Sequence, residues 1–549
     1  MSVVIDPPRA TDEAASMRGA GARWRHAAVG AAVVGILLRL WPYAAGASLY
    51  VDEAALARNI LDRNPWQLLQ PLDYAQVAPA GFLLAVKLST ALLGISEYAL
   101  RLVPLLAGLA SVVLFCRVAR GILRPLPATV AIALFSFATP LVFFAANLKQ
   151  YSSDVACTVL VVAVALRLVS ARERPLAATG LAAVPVLSLF FSEAAVFPVT
   201  VAGIVVVADA VVSRRDDRNR RFGIAALWAL AVLATTAHGL SSITPADSTY
   251  LRHFWGAGFM PSHHALAWLW GRLEDIFGGN GIVGLDGSLR YRWPALFVAL
   301  TAIGGVAMAF ADPAGAALVA GPVVLAVAAS ALHLHPFGGR VELFVLPLLL
   351  LLVVAGADAI GALLRPRKLG QWVCLLLLVL ATPGLARLLP PRPIEELRPV
   401  MRYVADNWKT GDALWVYYGA GQAFEYYRKL IPIDGDVHVG GCSRKDPRDL
   451  LRELDAGRGH ARMWILMSHD YGSERRLIVK YLGKIGTRLD GFHAPASDVS
   501  PDRAEAILYD LSIDTKLRST TAERFTIPPG YPAAPRSCYG TMSPSPAAH

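Results

Sequence analysis

The stretch "APAGFLLAVKLSTALLG" (Ala78–Gly94) decides the topology of this chain. It is apolar, and it is close to the shortest helix that can cross a hydrocarbon core of ~30 Å. The segment can either cross the membrane or lie on its surface. The two arrangements place every later loop on opposite sides of the membrane. The charges elsewhere in the sequence distinguish the two arrangements.

The composition is that of a polytopic α-helical membrane protein. Of the 549 residues, 55% are hydrophobic and only 17% are charged, whereas soluble proteins average about 25% charged residues. Apolar runs long enough to cross a bilayer recur along most of the chain. We predict about eleven spans, near residues 27–46, 99–119, 127–146, 154–171, 175–191, 194–212, 223–240, 294–311, 315–332, 342–360 and 371–387.

Basic residues favour a surface position for 78–94. If this segment does not span, fourteen Lys and Arg residues lie on the same side as the basic N-terminus, in the loops 115–126, 167–174, 213–221 and 361–370. The opposing short loops hold only Lys149 and Arg340. Because cytoplasmic loops are the ones enriched in Lys and Arg, the sequence predicts an interfacial helix at 78–94. It also predicts a cytoplasmic N-terminus in the inner (plasma) membrane.

This topology divides the chain into three parts. Residues 1–26 are predicted to be a disordered cytoplasmic tail, and residues 27–390 the transmembrane domain. That domain has an external loop at 47–98 and a long external loop at 241–292. Residues 391–549 are predicted to be an external, periplasmic domain with an irregular tail. The net charge of +11 comes mostly from the cytoplasmic loops, so it indicates membrane orientation and not nucleic-acid binding.

The external domain reads as a small α/β domain. The segments "DALWVYYGA", "ARMWILMSH" and "AEAILYDLS" predict strands, and "GQAFEYYRKL", "RDLLRELDAG" and "SERRLIVKYLGKIGTRL" predict helices. Strands that alternate with helices are typical of an α/β domain, and this one is long enough for its own core. An oxidising compartment would permit a disulfide between Cys442 and Cys538 without requiring it.

Polar residues at membrane depth are costly and therefore informative, and in this chain they gather on the external side. They include Asp52 and Glu53 in "YVDEAALARNI", Lys149, Tyr151 and Asp154 in "NLKQYSSD", Glu193 in "FSEAA" and Arg340 in "HLHPFGGRVE", with further polar residues in the loop 241–292. Carboxylates and cations at one membrane face suit a reaction on a lipid-linked phosphate. The cations would hold the phosphate, and a carboxylate would serve as the base.

Each of these residues also has a purely structural interpretation. Acidic residues stabilise the first turn of a helix, so Asp52 and Glu53 could be N-terminal charges. Lys149 could extend to the lipid headgroups, and Arg340 could stabilise an external turn. Arg39, in the outer part of the first span, could reach the headgroups or pair with a loop carboxylate.

The transmembrane part, residues 27–387, resembles the GT-C membrane glycosyltransferases. The likeness is to the protein-mannosyltransferase-like and RgtA/B/C/D-like families, which use polyprenyl-phosphate sugars. It rests on the acidic pair after the first span, the interfacial segment, "NLKQYSSDVA", "HPFGGRVELFVLPLLLLL" and a second span that opens with Glu97 and Arg101. Glu97 and Arg101 are four residues apart, which predicts an ordinary ion pair on one helix. The external domain fits the variable C-terminal module of these families.

The resemblance implies roles for individual residues. Asp52 matches the catalytic base, and Glu53 completes the acidic motif in a supporting or metal-binding role. Lys149 and Arg340 resemble basic positions near the lipid phosphate. Gln76 stands near the place of a His that is common in relatives, which leaves a divalent-metal cofactor open.

The sequence thus predicts a glycosyltransferase at the external face. It would transfer a hexose or pentose from a polyprenyl-phosphate donor to a hydroxyl of a cell-envelope lipid, glycan or protein, with inversion. The candidate substrate-binding residues are Lys149, Tyr151, Asp154, Arg340 and Arg39. Adjacent helical residues point about 100° apart, so Asp52 and Glu53 cannot flank one bond as a glycosidase pair does.

The alternative is a multi-pass transporter or flippase of a lipid-linked or small polar solute. Charged residues in spans often mark an ion or substrate path. The sequence has no internal repeat and no matching pair of broken helices, and its polar residues gather at one face and not at the midplane. These features favour the transferase.

Overall fold

A computed structural model describes residues 9–170, 175–212, 218–279, 286–364, 367–387, 393–442, 446–470, 474–495, 503–512 and 520–527. Over these residues the chain forms a helical part followed by a small domain built on a five-stranded sheet. The fold class predicted from the sequence, a polytopic helical protein with a C-terminal α/β domain, is confirmed. The first helix begins at Arg9, inside the segment predicted to be a disordered tail. That segment is rich in alanine, the best helix former.

The helical part contains seventeen α-helices over the described residues. They are α1 (Arg9–Ala45), α2 (Val51–Asp62), α3 (Ala80–Leu93), α4 (Glu97–Ile122), α5 (Pro125–Ser136), α6 (Thr139–Ala145), α7 (Tyr151–Ser170), α8 (Pro175–Phe191), α9 (Val196–Val212), α10 (Arg218–Ser241), α11 (Pro245–Phe254), α12 (Ala265–Gly278), α13 (Pro294–Ala311), α14 (Pro313–Ala331), α15 (Leu346–Leu363), α16 (Arg367–Leu380) and α17 (Thr382–Leu385). Short 3₁₀ turns occur at Gln67–Leu69, Glu193–Ala195, Gly256–Gly258 and Gly339–Val345.

Eight helical segments of the described chain are long and apolar enough to cross a membrane. The pair α5 and α6 makes a ninth if it counts as one span bent by 51°. Pro140 is in the first turn of α6, and it has no backbone N–H to donate to the carbonyl of Ser136, where α5 ends. These nine coincide with nine of the eleven predicted spans. The other two predicted spans, 175–191 and 371–387, are occupied by the shorter apolar helices α8 and α16–α17.

The deciding segment forms α3, a helix of 14 residues. At 1.5 Å per residue it is about 21 Å long, which is too short for a core of ~30 Å. One face buries Phe82 and Val86, while Leu88, Leu92 and Leu93 are exposed. A short helix with an apolar outer face fits the predicted position at the membrane interface.

Helix α15 forms the centre of the bundle. Its residues from Leu346 to Ala357 are all buried, and it packs most extensively against α13. The two backbones meet at Gly304 and Gly356, where an added Cβ would collide with the carbonyl oxygens of Leu352 and Leu300. Small residues let membrane helices approach closely, so this crossing depends on both glycines.

The C-terminal domain contains α18 (Leu397–Asp406), α19 (Gly421–Tyr427), α20 (Pro447–Asp455) and α21 (Glu474–Ile485), with a 3₁₀ turn at Tyr418–Ala420. Its strands are β1 (Ala413–Val416), β2 (Asp436–Val439), β3 (Met463–Met467), β4 (Thr487–His493) and β5 (Glu505–Asp510). The sheet order is β2-β1-β3-β5-β4. Strand β1 is parallel to β2 and β3, whereas β5 is antiparallel to β3 and β4.

The strands predicted in this domain occur as β1, β3 and β5, but the sequence missed β2 and β4. Strand β2 is an edge strand of only four residues with alternating exposure, too short for its pattern to predict a strand. Strand β4 begins inside the segment predicted as one long helix, because α21 ends at Ile485 and the chain reverses at Gly486. A side chain at Gly486 would collide with Asp510 and Leu511 of the returning chain.

The two faces of the sheet have different partners. One face packs on α20 and α21 and forms a core that belongs to the domain alone. The other face shares a core with α2, α3 and the turns between them, so residues such as Phe424 and Trp464 lie in the same cluster as Leu56 and Phe82. The prediction of a domain with its own core is therefore right for one face only. Cys442 is disulfide-bonded, and Cys538 lies outside the described residues.

Candidate active site

Three segments that are distant in sequence meet where the chain leaves the helical bundle. They are the first turn of α2, the turn at 147–150 between α6 and α7, and the 3₁₀ turn Gly339–Val345. Tyr50 has an extended backbone and precedes α2, and the Glu53 carboxylate accepts a hydrogen bond from the Tyr50 backbone N–H at 3.4 Å. This local arrangement caps the helix and places Asp52 and Glu53 in its first turn, pointing in different directions.

Asp52 forms an ion pair with Arg340. The Nη2 atom of Arg340 lies 2.7 Å from Oδ2 of Asp52, and the two side chains are 15% and 28% exposed. The indole of Trp255, from the long external loop, lies 5.8 Å from the Arg340 guanidinium. That distance permits a cation–π contact. The Arg340 Nε atom is buried and has no hydrogen-bond partner within the described part of the chain.

Lys149 lies beside this pair. Its Nζ atom donates a hydrogen bond of 2.7 Å to Oε1 of Gln76, and its side chain is buried. Burial lowers the pKa of Lys149 to about 8, although the nearby charge of Asp52 raises it in part. Two cations and one carboxylate thus occupy one small region.

The ionisation of Asp52 reflects these neighbours. Burial raises the pKa of Asp52, but Arg340, Lys149 and His469 lower it by more, so the pKa lies at about 2. Asp52 is therefore a carboxylate at neutral pH, held by positive charge. His469 belongs to the C-terminal domain, so that domain also reaches this site.

Glu53 has a different environment. It is fully buried, and its carboxylate accepts hydrogen bonds from Arg101 Nε at 2.8 Å, Arg101 Nη2 at 2.6 Å and the Leu148 backbone N–H at 2.6 Å. Arg101 also donates to the backbone oxygens of Ala47 and Ser48. Glu53 therefore joins α2, α4 and the turn that carries Lys149, and its oxygens are already engaged.

The predicted ion pair between Glu97 and Arg101 is wrong. Arg101 turns to Glu53 instead, and Glu97 pairs with Arg398 of the C-terminal domain at 2.7 Å. Tyr427 of the same domain donates to Glu97 at 2.9 Å and accepts from the Leu49 backbone N–H at 2.8 Å. The charges at the start of α4 thus connect elements that are distant in sequence.

The other sequence candidates lie at different distances from Asp52. Tyr151 is buried, and its hydroxyl interacts with Arg340. Asp154 is one helical turn further along α7 and bonds Ser192. Arg39 is fully buried within the bundle. It donates to the backbone oxygens of Gly35, Phe135 and Ser136, where it satisfies the end of α5. Arg39 therefore neither reaches the headgroups nor pairs with a loop carboxylate.

A cavity of about 270 Å³ lies next to the acidic pair. Tyr50 and the Glu53–Arg101 pair form one wall, and the apolar Val142 and Phe143 of α6 form another. The remaining lining includes polar and charged groups at Ser48, Asn147, Arg387, Glu396 and Arg398. The cavity is on the Glu53 side of the acidic pair, and Asp52, Lys149 and Arg340 are not among its lining residues.

The residues present do not fit a divalent cation. Among the described residues, no three His, Cys, Asp or Glu side chains are grouped so that they could hold a metal ion. The Asp52 and Glu53 carboxylates each bond a guanidinium group, and Gln76 bonds Lys149. Cations of the protein itself therefore occupy the positions that a metal would need.

Three residues of the site were not identified as such from the sequence. Gln76 was noted for its position, but its bond to Lys149 was not expected. Trp255 and His469 were not singled out. Asp52 and Arg340 stand out in the sequence because they are polar residues at the end of a predicted span. Trp255 and His469 are not adjacent to the end of a predicted span.

No protein-family model and no curated protein sequence matches the chain. Among solved structures, it is similar to ArnT from Cupriavidus metallidurans in the apo state, with 13% identity, coverage of 91% of this chain and 100% of that chain, and a TM-score of 0.49. It is also similar to ArnT bound to undecaprenyl phosphate, with 14% identity, coverage of 90% and 99%, and a TM-score of 0.44.

A third similar structure is the Archaeoglobus fulgidus oligosaccharyltransferase in complex with Zn and sulfate. The identity is 10%, the coverage is 88% of this chain and 73% of that chain, and the TM-score is 0.48. All three TM-scores are below 0.5. The fold is therefore taken from the helices and the sheet of this chain, and its function is argued from its own residues.

Proposed function

We propose that the protein is a membrane glycosyltransferase that takes a sugar from a polyprenyl-phosphate donor at the external membrane face. The observation that carries the proposal is the convergence of Asp52, Arg340 and Lys149 from three separate segments. Water-exposed loops have no need to bring one carboxylate, one buried cation and one largely buried cation together at the end of a membrane bundle. The sequence resemblance to GT-C enzymes supports the same conclusion.

In this proposal Arg340 and Lys149 hold the donor phosphate. Charge-assisted hydrogen bonds from Arg and Lys to phosphate are among the stronger ones in proteins. The unpartnered Nε atom of Arg340 is a donor for a phosphate oxygen, and Tyr151 would help to orient the guanidinium. Trp255 restricts Arg340 from the other side. Donor binding would leave Asp52 less tightly held than in the free protein.

Asp52 acts as the base in the displacement. The acceptor oxygen forms a bond to the anomeric carbon while the bond from that carbon to the phosphate oxygen breaks, and the phosphate leaves with the electron pair. The hydroxyl proton goes to Asp52. A single displacement of this kind inverts the anomeric centre, and it needs no general acid because the lipid phosphate is already a good leaving group.

The remaining candidates support the site and do not act in the displacement. Glu53 holds the first turn of α2 against Arg101, which fixes the direction of Asp52. Asp154 would hold the start of α7 through Ser192, and Arg39 secures the break between α5 and α6. We assign Asp154 and Arg39 no contact with the donor.

The site faces the exterior if the loop charges set the orientation as the positive-inside rule requires. The disulfide at Cys442 supports an external C-terminal domain, because disulfides persist in oxidising compartments. The N-terminus would then be cytoplasmic and the sheet domain periplasmic, in the inner membrane.

The experiment uses purified protein in liposomes. Undecaprenyl phosphate that carries a radiolabelled pentose or hexose is added with a lipid and glycan extract from a deletion strain of the source organism. We expect label to move from the donor lipid to an extract component on one side of the membrane. Movement of labelled donor or solute across the bilayer without transfer would instead support the transporter.

A further inference from the structure

The segment 46–50 joins α1 to α2 and leads directly to Asp52. It forms no helix or strand, so its backbone N–H and C=O groups need partners outside regular structure. Three of these groups bond side chains of the C-terminal domain: the Ser48 N–H donates to Glu396 at 3.0 Å, the Leu49 N–H donates to the Tyr427 hydroxyl at 2.8 Å, and the Gly46 carbonyl accepts from Arg398 at 2.7 Å. The C-terminal domain therefore holds the segment that precedes the proposed base.

Tyr427 makes the contact closest to Asp52 of these three. Its side chain is fully buried, and its hydroxyl accepts from the Leu49 N–H while it donates to Oε1 of Glu97 at 2.9 Å. Burial raises the pKa of Tyr427 well above its ordinary value, so the phenol keeps the proton that it donates. One hydroxyl thus joins the C-terminal domain, the first residue of α4 and the backbone three residues before Asp52.

The helix that ends at Tyr427 also supports the rest of α2. Helix α19 packs against α2. Arg58, in the middle of α2, donates to Gln422 at 2.8 Å, and Asp62 at its end pairs with Lys429, just beyond α19. The contacts with α19 therefore extend from the approach to α2 as far as its last residue.

We propose that Tyr427 is a positioning residue for Asp52, through which the C-terminal domain aligns the base with the acceptor hydroxyl. The inference rests on the proposed function and adds to it a role for the C-terminal domain. Transfer requires the base, the acceptor oxygen and the anomeric carbon to be aligned, and a misplacement of about 1 Å can cost ~10²-fold in rate.

The proposal separates the transfer rate from donor binding. Tyr427 acts on the backbone that leads to Asp52, whereas Arg340 and Lys149, which would hold the donor phosphate, come from the turns at 339–345 and 147–150. Loss of the Tyr427 hydroxyl should therefore slow transfer and leave the affinity for the donor lipid unchanged.

The test uses conservative variants of the full-length protein. Tyr427→Phe keeps the ring but leaves the buried Leu49 N–H without its partner. Tyr426→Phe is the matched control, because Tyr426 is also buried and its hydroxyl has no hydrogen-bond partner among the described residues. Glu396→Gln loosens the same segment from a different side chain, since Ser48 donates its N–H and its hydroxyl to the two Glu396 oxygens and an amide has only one oxygen. It tests the same idea if Tyr427→Phe does not fold.

The measurement is a single turnover of undecaprenyl phosphate that carries a labelled sugar, in liposomes, with the rate expressed per bound donor. Protein that fails to fold binds no donor and does not enter this rate. We expect Tyr427→Phe to lower the rate by roughly 10-fold or more, with wild-type affinity for undecaprenyl phosphate, and Glu396→Gln to lower it as well. Tyr426→Phe should transfer at the wild-type rate. In an Asp52→Asn background, Tyr427→Phe should cause no further loss, because residues that act through one another are not additive.

A wild-type rate per bound donor in Tyr427→Phe would overturn the proposal, as would an equal loss in Tyr426→Phe. If Tyr427→Phe does not fold, a wild-type rate in Glu396→Gln overturns it. A further loss of the same size in the Asp52→Asn background would show that Tyr427 does not act through Asp52. All of these outcomes leave the proposed function intact, because the wild type transfers sugar in each. If the wild type itself transfers no label, the proposed function fails, and this inference fails with it.

Discussion

The structure predicts that Glu53→Gln lowers the stability of the folded protein and does not remove a catalytic group. The Glu53 carboxylate is fully buried and accepts four hydrogen bonds, two from Arg101 and one each from the Leu148 and Tyr50 backbone. An amide would turn one of these acceptors into a donor and leave the Arg101 guanidinium buried without its counter-charge. Removing one partner of a buried ion pair typically costs ~3–5 kcal/mol.

The assay is the thermal unfolding of the purified protein in detergent, with Asp52→Asn as the matched control. Asp52 is partly exposed and makes one ion pair, so its variant should be destabilised far less. Arg101→Met should lower the stability as Glu53→Gln does, and the double variant should lose less than the sum, because the two residues act as one unit. A Glu53→Gln protein that unfolds at the wild-type temperature but transfers no sugar would refute this reasoning and make Glu53 catalytic.

Three further predictions follow from the site and the bundle. Lys149 loses its charge as the pH rises through its pKa of about 8, so the affinity of the wild type for undecaprenyl phosphate should fall over that range, whereas the affinity of Lys149→Arg should not. Titration with the lipid measures both affinities, and a wild-type affinity that is independent of pH would argue against a phosphate contact. Gly304→Ala should destabilise the protein by ~1–3 kcal/mol or more, while Gly305→Ala, which has open space around it, should not; equal unfolding temperatures would contradict the close α13–α15 crossing. A reporter that is active only outside the cytoplasm should work when fused after Leu389 and be silent when fused within Arg214–Arg221; the reverse pattern would mean that residues 78–94 span the membrane.

Local patterns in the sequence predicted the local features well. Hydropathy located the helices because a span needs only consecutive apolar residues, and the first turn of α2 followed from an acidic pair after a span. The same reasoning failed for Arg101, because spacing on one helix cannot reveal that Glu53 is available from a different segment. It also failed for β2, a short edge strand whose pairing with β1 depends on a distant segment.

Long-range proximity limited the prediction of the site. Asp52 and Arg340 were both singled out, but nothing in the sequence required that they pair directly. His469 ends a predicted strand segment in a separate part of the chain, and its charge acts on Asp52 because one face of the sheet packs on α2 and α3. The hydrophobic periodicity of each segment indicates that one of its faces is buried, but it does not indicate which distant segment covers that face.

The most direct test of the account is the rate of sugar transfer by Asp52→Asn with donor lipid already bound. The variant keeps the shape of the side chain but cannot accept the proton, so we expect normal folding and normal binding of undecaprenyl phosphate. Loss of a general base typically costs ~10²–10⁴-fold in rate, and transfer should fall by that factor. Transfer by Asp52→Asn at a rate close to that of the wild type would contradict the assignment of Asp52 as the base.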